Sequence, residues 1–249
     1  SDRTTNPATA GGHSAASSGK MNNDCADFRG DRRCRLALAI LGAAVMASAL
    51  AVSRDSHEAA QGQTVRADWA SHGRSADEQR FSPLMQIDSS SVSRLGLAWS
   101  FDFPERRGVE ATPIVIDGVI YITGPWSVVY AFDIRKSQLL WKHDPGVDRR
   151  WARYACCDVV NRGVAVSADT LFVASLDGFL VALNRHDGKV KWRVDTISRK
   201  PGYTITGAPR IANGLVIIGN GGAEFGVRGF VSAYDVHDGT LRWRFYTVP

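Results

Sequence analysis

The second half of the chain alternates between apolar and polar residues in short runs. Residues 112–123 (TPIVIDGVIYIT), 163–175 (GVAVSADTLFVAS) and 208–219 (APRIANGLVIIG) each place two such runs around a central Asp-Gly, Ala-Asp or Asn-Gly. Asp-Gly and Asn-Gly between alternating runs are strong signals for a β-hairpin. The pattern therefore predicts three β-hairpins.

Each predicted hairpin is followed by two further strand patterns that recur with a fixed period. The copies are AFDIRKSQLLW (131–141), ALNRHDGKVKW (182–192) and AYDVHDGTLRW (233–243), so equivalent Ala and Trp residues lie 51 positions apart. A period near 50 is typical of a solenoid, a propeller or an array. Four antiparallel strands per unit predict an all-β protein built from β-propeller blades, in which one Trp per blade docks on its neighbour.

Two connections are longer than the repeat requires. The interval from the hairpin turn to the repeated Ala is 13 residues in the first two units and 19 in the third, whose extra residues lie near GNGGAEFGVRG (219–229). The longest connection after a repeated Trp carries YACCDVVNRG (154–163). Binding and catalytic residues are often carried by loops on a rigid scaffold, so we expect a functional site at these insertions.

Residues in both insertions have candidate chemistry, each with a plainer alternative. Gly221 and Gly222 would let a flat ligand approach the backbone closely, or form a simple turn. Glu224 offers an oxygen ligand suited to Ca²⁺, or is a solvated carboxylate. Arg162 is either a surface charge or a clamp for a carboxylate.

Cys156 and Cys157 raise a separate question because they are adjacent. Neighbouring Cα atoms lie about 3.8 Å apart, whereas an ordinary disulfide joins Cα atoms about 4.4–6.8 Å apart. The residues alone are compatible with two free thiols and with a strained disulfide between Cys156 and Cys157.

Charge and hydropathy are informative mainly near the N-terminus, where a basic cluster precedes an apolar run. Several of the positive residues behind the formal net charge of +5 lie in one cluster, Arg29–Arg35, and no basic stripe interleaved with aromatics follows. We therefore expect no nucleic-acid partner. The cluster precedes an apolar run over 36–52 with a small-residue cleavage pattern at 47–49, which is typical of a secretory signal.

These features predict three segments. Residues 1–20 form a disordered leader or non-native upstream sequence, 21–51 a signal peptide, and 52–249 an exported, periplasmic chain with no stable membrane span. An uncleaved membrane anchor at 36–52 is the alternative. Export would place Cys156 and Cys157 in a compartment that permits disulfides.

The motifs together resemble those of the pyrroloquinoline quinone (PQQ)-dependent alcohol dehydrogenases, in particular the quinohaemoprotein alcohol dehydrogenases and the related methanol and ethanol dehydrogenases. The likeness runs from about Trp69 to Pro249 and includes WASHGRSADEQRFSPLMQID, EATPIV, CCDVVNRG, LDGFLVAL, YTITGAPR, GNGGAEFGVRG and WRFYTVP. It implies an eight-bladed propeller with W-shaped blades, of which this chain is an N-terminal portion. It also implies PQQ near the propeller axis and Ca²⁺ at the quinone, with a lanthanide left open.

The resemblance assigns roles to residues of both insertions. It implies a vicinal disulfide between Cys156 and Cys157 that covers one face of PQQ, and a metal-ligating carboxylate at Glu224. The catalytic base would lie beyond Pro249, so no catalytic residue is named in this chain. The implied PQQ contacts are Glu110, Cys156, Cys157, Arg162, Thr206, Gly221, Gly222 and Ala223.

The implied activity is oxidation of primary alcohols, with secondary alcohols left open, by hydride transfer to PQQ. Electrons would pass to a cytochrome c or another periplasmic acceptor. A haem c in a further C-terminal domain is left open, as are the particular alcohol and the oligomeric state, and the fragment alone is expected to be inactive. The alternatives are a non-catalytic periplasmic propeller acting as a scaffold or binding protein, and a sensor tethered by residues 36–52.

Overall fold

The predicted hairpins and the 51-residue repeat are both confirmed by the structure, a computed structural model that describes residues 68–249. The predicted leader (1–20), the signal peptide (21–51) and the boundary at residue 52 lie outside the described residues. Within residues 68–249, no helix is both long and apolar enough to cross a membrane.

Twelve strands of the described chain form three antiparallel sheets, and the strands of each sheet follow one another in sequence. Blade 1 consists of β1 (Ile114–Ile116), β2 (Val119–Thr123), β3 (Val129–Asp133) and β4 (Gln138–His143). Blade 2 consists of β5 (Ala165–Ser167), β6 (Thr170–Ala174), β7 (Phe179–Asn184) and β8 (Val190–Asp195). Blade 3 consists of β9 (Arg210–Ala212), β10 (Leu215–Gly219), β11 (Phe230–Asp235) and β12 (Leu241–Tyr246). Short 3₁₀ helices span Val92–Arg94, Pro125–Ser127, Arg149–Tyr154 and Ala223–Phe225.

The strand register repeats from blade to blade. The Cα partners are Ala131 and Trp141 in blade 1, Ala182 and Trp192 in blade 2, and Ala233 and Trp243 in blade 3. A register shift follows the repeated Ala in every blade. The period in the sequence is therefore a period in the structure.

The backbone of two hairpin turns explains their sequence. Asp117 and Gly118 have φ values of 54° and 79°, and Asn213 and Gly214 have 48° and 73°. Positive φ at both central residues is the requirement of a type I′ turn, whose twist matches that of the flanking strands. Local sequence thus explains the β1–β2 hairpin of blade 1 and the β9–β10 hairpin of blade 3.

Apolar faces of neighbouring blades pack together to form the core. The cluster between blades 1 and 2 contains Tyr121, Val129, Leu171, Val173 and Leu183, among others. The cluster between blades 2 and 3 contains Phe172, Leu180, Ile205, Val216 and Tyr234, among others. A third cluster lies under the blade connections and contains Trp126, Trp151, Val159, Leu176, Ile197 and Phe230, among others. This third cluster supports the two enlarged loops.

Candidate functional site

The cysteine loop, defined as residues 144–164 between β4 and β5, contains the 3₁₀ helix Arg149–Tyr154, which is anchored at its N-cap and at Trp151. The Asp148 carboxylate accepts the backbone N–H of Arg150 at 2.9 Å, and the Arg150 guanidinium holds the pKa of Asp148 at about 2. Trp151 is buried, and its indole Nε1 donates to the carbonyl oxygen of Tyr203 at 2.9 Å. The helix therefore connects the cysteine loop to the chain before blade 3.

Cys156 and Cys157 follow this helix and are exposed. Their Sγ atoms lie 2.7 Å apart and both residues are present as free cysteines. The hydrogen bond between the two thiols is the largest cause that raises the pKa of Cys156, while the negative charge of Glu224 adds to the rise and Arg162 opposes it. The vicinal disulfide stays a prediction, and the two sulfurs are close.

Asp158 adopts a left-handed backbone conformation directly after the cysteines. Its φ is 72°, and its Oδ1 accepts both the Val159 backbone N–H and Arg107 Nη2 at 2.8 Å. The next two residues, Val159 and Val160, are each 1% exposed. The chain thus passes from a surface pair of cysteines to the core within one residue.

Asn161 is a buried amide that ties the end of the cysteine loop to two other segments. Its Nδ2 donates to Ser127 Oγ at 3.1 Å and to the Ala174 carbonyl at 2.7 Å, while its Oδ1 accepts the Gly163 N–H at 3.0 Å. A buried polar group is tolerated when its partners are all present. Asn161 therefore holds Arg162, its neighbour, in a defined position.

Arg162, Glu110 and Thr206 form one polar cluster. Arg162 donates from Nη1 to Thr206 Oγ1 at 2.6 Å and from Nη2 to Glu110 Oε2 at 2.9 Å. Arg162 and Thr206 are also linked through their backbones, because the Arg162 N–H donates to the Thr206 carbonyl oxygen at 2.9 Å. The Arg162 and Glu110 side chains are each 43% exposed, so the cluster can still bind a ligand.

The glycine loop, defined as residues 220–229 between β10 and β11, contains the remaining predicted site residues. Gly221 exchanges backbone hydrogen bonds with Thr204, and Gly222 has a φ of 106°. A Cβ at Gly222 would lie 2.0 Å from the Gly202 carbonyl oxygen, so a side chain is excluded there. A Cβ at Gly221 would lie 2.9 Å from Thr204 Oγ1. Both glycines therefore allow close packing on residues 202–204, and the expected approach of a ligand to them stays a prediction.

Ala223 and Glu224 lie in the 3₁₀ helix of the glycine loop, and Glu224 is exposed. Residues 68–249 contain no group of three or more His, Cys, Asp or Glu side chains arranged to hold a metal ion. Ca²⁺ takes about 6–8 oxygen ligands. Glu224 can therefore supply one ligand, but the described chain does not by itself supply a metal site.

The predicted site residues form one polar cluster and a second group around the cysteines. Glu110, Arg162 and Thr206 are in direct contact. The charge of Glu224 raises the pKa of the Cys156 thiol, and the charge of Arg162 lowers it. Residues that the sequence reasoning missed are Arg107, Tyr154, Asp158, Asn161 and Phe225. All but Arg107 lie within the two insertion motifs, so their position in those motifs was an available signal.

Comparison with known proteins identifies the family. Residues 69–249 match the family model described as "PQQ: Glucose/ethanol/alcohol dehydrogenase, beta-propeller domain". This chain belongs to that family. The match covers all three blades and both insertions, so the predicted propeller and the predicted family are confirmed.

Curated relatives of this PQQ propeller family are much longer than the chain. It is 59% identical over 183 residues to the quinohemoprotein alcohol dehydrogenase ADH-IIG of Pseudomonas putida, covering 73% of this chain and 26% of that protein. It is 56% identical over 170 residues to the 1-butanol dehydrogenase (cytochrome c) of Thauera butanivorans, covering 68% of this chain and 24% of that protein. The chain thus spans about a quarter of the length of these relatives.

Two solved structures superimpose well on this chain. A quinohemoprotein alcohol dehydrogenase from Comamonas testosteroni superimposes with a TM-score of 0.72 at 48% identity, covering 75% of this chain and 28% of that one. A europium-containing methanol dehydrogenase superimposes with a TM-score of 0.69 at 38% identity, covering 72% of this chain and 32% of that one.

Proposed function

We propose that the complete protein containing this chain is a PQQ-dependent alcohol dehydrogenase that oxidises primary alcohols to aldehydes and passes the electrons to a cytochrome c. The observation that carries the proposal is the contact of Arg162 with Glu110 and Thr206 beside the exposed pair Cys156–Cys157, in a chain of this family. Relatives named as quinohemoprotein alcohol dehydrogenase and 1-butanol dehydrogenase (cytochrome c) support it.

The polar cluster fits the chemistry of PQQ, which is a flat tricarboxylate with two quinone oxygens. An arginine has five N–H donors, and a planar guanidinium matches a carboxylate well. Arg162 uses Nη1 and Nη2 in its contacts with Thr206 and Glu110, which leaves donors for a carboxylate of the cofactor. Thr206 and Glu110 orient the guanidinium.

The remaining site residues are proposed to enclose the cofactor. Cys156 and Cys157, as a vicinal disulfide, would present a flat sulfur surface to one face of the ring. The backbone of Gly221, Gly222 and Ala223 would line the cofactor edge, and Glu224 would be one ligand of a Ca²⁺ ion. When bound, PQQ would supply an acceptor for the hydride of the alcohol, with the metal acting as a Lewis acid.

Location and metal identity are further parts of the proposal. The signal-like segment 21–51 supports a periplasmic enzyme. The europium-containing methanol dehydrogenase makes a lanthanide the alternative to Ca²⁺. The two metals are distinguished by reconstituting the apoprotein with each and comparing activity.

A matched pair of arginine substitutions tests the proposal in the full-length protein. Arg162→Gln removes the charge-assisted hydrogen bonds, worth about 1.5–3 kcal/mol, and should weaken PQQ binding about 10- to 100-fold. Arg242→Gln is the control, because Arg242 pairs with Asp235 at an exposed position of blade 3. PQQ affinity is measured by absorbance titration, and activity by alcohol-dependent dye reduction with PQQ and Ca²⁺.

Two results would count against the proposal. If the wild-type protein with PQQ and either metal reduces no dye when alcohols are added, the enzymatic function is wrong. If Arg162→Gln binds PQQ as tightly as Arg242→Gln does, the polar cluster is not the cofactor contact.

A further inference from the structure

The two enlarged loops touch through a pair of aromatic rings. The ring centroids of Tyr154 and Phe225 lie 5.5 Å apart with an interplanar angle of 88°, an edge-to-face contact. Tyr154 belongs to the cysteine loop and precedes Cys156 by two residues. Phe225 belongs to the glycine loop and directly follows Glu224. The contact therefore joins a residue two positions before Cys156 to the residue directly after Glu224.

Each ring is itself held by its own loop. Tyr154 makes a second edge-to-face contact with Trp151, at 5.7 Å between centroids and 73° between planes. Phe225 ends the 3₁₀ helix Ala223–Phe225, and its N–H donates to the Gly222 carbonyl at 2.9 Å. Each ring is therefore attached to the last residue of a 3₁₀ helix in its own loop, Arg149–Tyr154 or Ala223–Phe225.

A third segment, residues 202–204, supports both loops from one side. The Tyr203 carbonyl accepts the indole N–H of Trp151, and Thr204 pairs with Gly221. Phe225 covers Gly202 so closely that a Cβ there would lie 3.2 Å from the Phe225 Cβ. Both loops thus contact residues 202–204, and the Tyr154–Phe225 pair adds a direct contact between the two loops.

Burial alone does not account for an aromatic residue at position 225. The Phe225 side chain is 45% exposed and belongs to none of the three buried clusters of the described chain. An edge-to-face pair still contributes beyond its buried area. We therefore expect Phe225 to contribute to the position of the glycine loop more than to the stability of blade 3.

We propose that Tyr154 and Phe225 are positioning residues that hold the cysteine pair and Glu224 in a fixed relation, an inference that rests on the proposed function for its catalytic meaning. With the contact intact, the cysteine loop and the glycine loop behave as one wall of the site. Without it, each loop moves separately, and a ligand that needs both loops binds less tightly.

The first test needs no cofactor and uses the reduced, full-length apoprotein. Phe225→Leu keeps an apolar side chain but removes the ring, and should raise the rate of iodoacetamide labelling at Cys156 about 3- to 10-fold. A change on the glycine loop would then be detected on the cysteine loop. Tyr154→Phe is the matched control, because it keeps the ring, and its labelling rate should equal that of the wild type.

The second test is a double-mutant cycle on the holoenzyme. Tyr154→Leu and Phe225→Leu should each weaken Ca²⁺ binding about 3- to 10-fold, and the double variant should be no weaker than the worse single variant. Metal affinity is measured by titration into the PQQ-loaded protein, and thermal unfolding of each apoprotein checks the fold. If Phe225→Leu does not fold, Phe225→Met replaces it.

The outcomes separate this inference from the proposed function. Labelling rates that do not change in Phe225→Leu, or metal affinities whose losses simply add, would overturn the coupling of the loops even if the wild type oxidises alcohols. Faster labelling of Cys156 in Phe225→Leu, together with non-additive losses of Ca²⁺ affinity, would support the coupling of the loops. If the wild type binds no PQQ, the proposed function fails, while the labelling result still decides whether the rings couple the loops.

Discussion

At the scale of single residues, Asp158 determines how the cysteine pair is presented. Asp is one of the few residues with a side chain that tolerates left-handed backbone, and the Asp158 φ is 72°. Its carboxylate also receives the Val159 N–H and the Arg107 guanidinium. The turn keeps Cys156 and Cys157 at the surface while the following residues are buried.

The first prediction concerns the state of the two cysteines. We expect iodoacetamide to label neither Cys156 nor Cys157 in the folded protein without reductant, because the proposed disulfide uses both thiols. After reduction both should be labelled. The labelling rate of Cys156 should keep rising at a pH above the ordinary thiol range, since the hydrogen bond with Cys157 raises its pKa and the thiolate is the reactive form.

Mass spectrometry of the labelled peptides measures both parts of this prediction. A reduced, unfolded sample provides the pH profile of an unperturbed thiol as the control. Labelling of both cysteines in the folded, unreduced protein would refute the disulfide, and identical pH profiles in the folded and unfolded samples would refute the raised pKa.

The residue types of the polar cluster could be predicted, but its geometry could not. Arg162, Glu110 and Thr206 were each expected to be cofactor contacts, and the structure brings them within hydrogen-bonding distance. Arg162 and Thr206 are 44 residues apart in sequence, so their contact depends on how two blades pack. No local pattern encodes that packing, and the same reason explains why Arg107 was missed.

At the scale of elements, the repeated tryptophans dock each blade on the next. Trp141 donates from Nε1 to the Arg185 carbonyl at 3.1 Å, and Trp192 donates to the Val236 carbonyl at 3.2 Å. The ring of Trp141 lies against Gly188 and that of Trp192 against Gly239. The repeat thus places a glycine against the docked tryptophan in two pairs, Trp141 with Gly188 and Trp192 with Gly239.

The second prediction tests this docking with two glycines that have nearly equal φ values. Gly188 and Gly214 have φ values of 71° and 73°. A Cβ at Gly188 would lie 2.6 Å from Trp141 Cε3, whereas within residues 68–249 only the chain neighbours of Gly214 lie within 4 Å of a Cβ there. Both alanine substitutions incur left-handed strain of about 1–2 kcal/mol. Gly188→Ala adds overpacking of about 1–3 kcal/mol.

Urea unfolding of the full-length protein, followed by tryptophan fluorescence, measures the difference. Gly188→Ala should be less stable than Gly214→Ala by the overpacking contribution. Equal stabilities would mean that the tryptophan is not held against the glycine.

The third prediction concerns the one blade turn that departs from the repeat. Ser137 occupies the position of Gly188 and Gly239 in blade 1, with a φ of 52°. Glycine removes the left-handed strain but increases the entropy of the unfolded chain. Ser137→Gly should therefore raise the free energy of unfolding by about 0.5–1 kcal/mol, measured by the same urea method. A loss of stability would show that the Ser137 side chain has a stabilising contact.

The elements were the most predictable level of the structure. A strict period of 51 residues fixed the strand order, and Asp-Gly and Asn-Gly fixed two turns, because both signals depend on local backbone requirements. The two long loops were predicted as insertions but not in shape. Their conformation depends on Trp151, Asn161 and other residues buried against distant segments.

At the scale of the whole molecule, blade 3 exposes the surface that blades 1 and 2 use for docking. Leu241, Trp243 and Phe245 of β12 are 48%, 42% and 66% exposed. Trp243 is equivalent to the docked Trp141 and Trp192. Propellers close with about 4–8 blades, and residues 68–249 form three. We therefore propose that further blades of the complete protein cover this surface.

The fourth prediction follows for the activity of the separate parts. A chain limited to residues 52–249 should show no alcohol-dependent dye reduction with PQQ and Ca²⁺. The proposed ligand Glu224 would supply only one of the about 6–8 oxygens that Ca²⁺ takes, and the family resemblance places the catalytic base beyond Pro249. The full-length protein, assayed in parallel, is the control and should be active. Turnover by the 52–249 chain would show that its own residues complete the site. Inactivity of both proteins would instead count against the proposed enzymatic function.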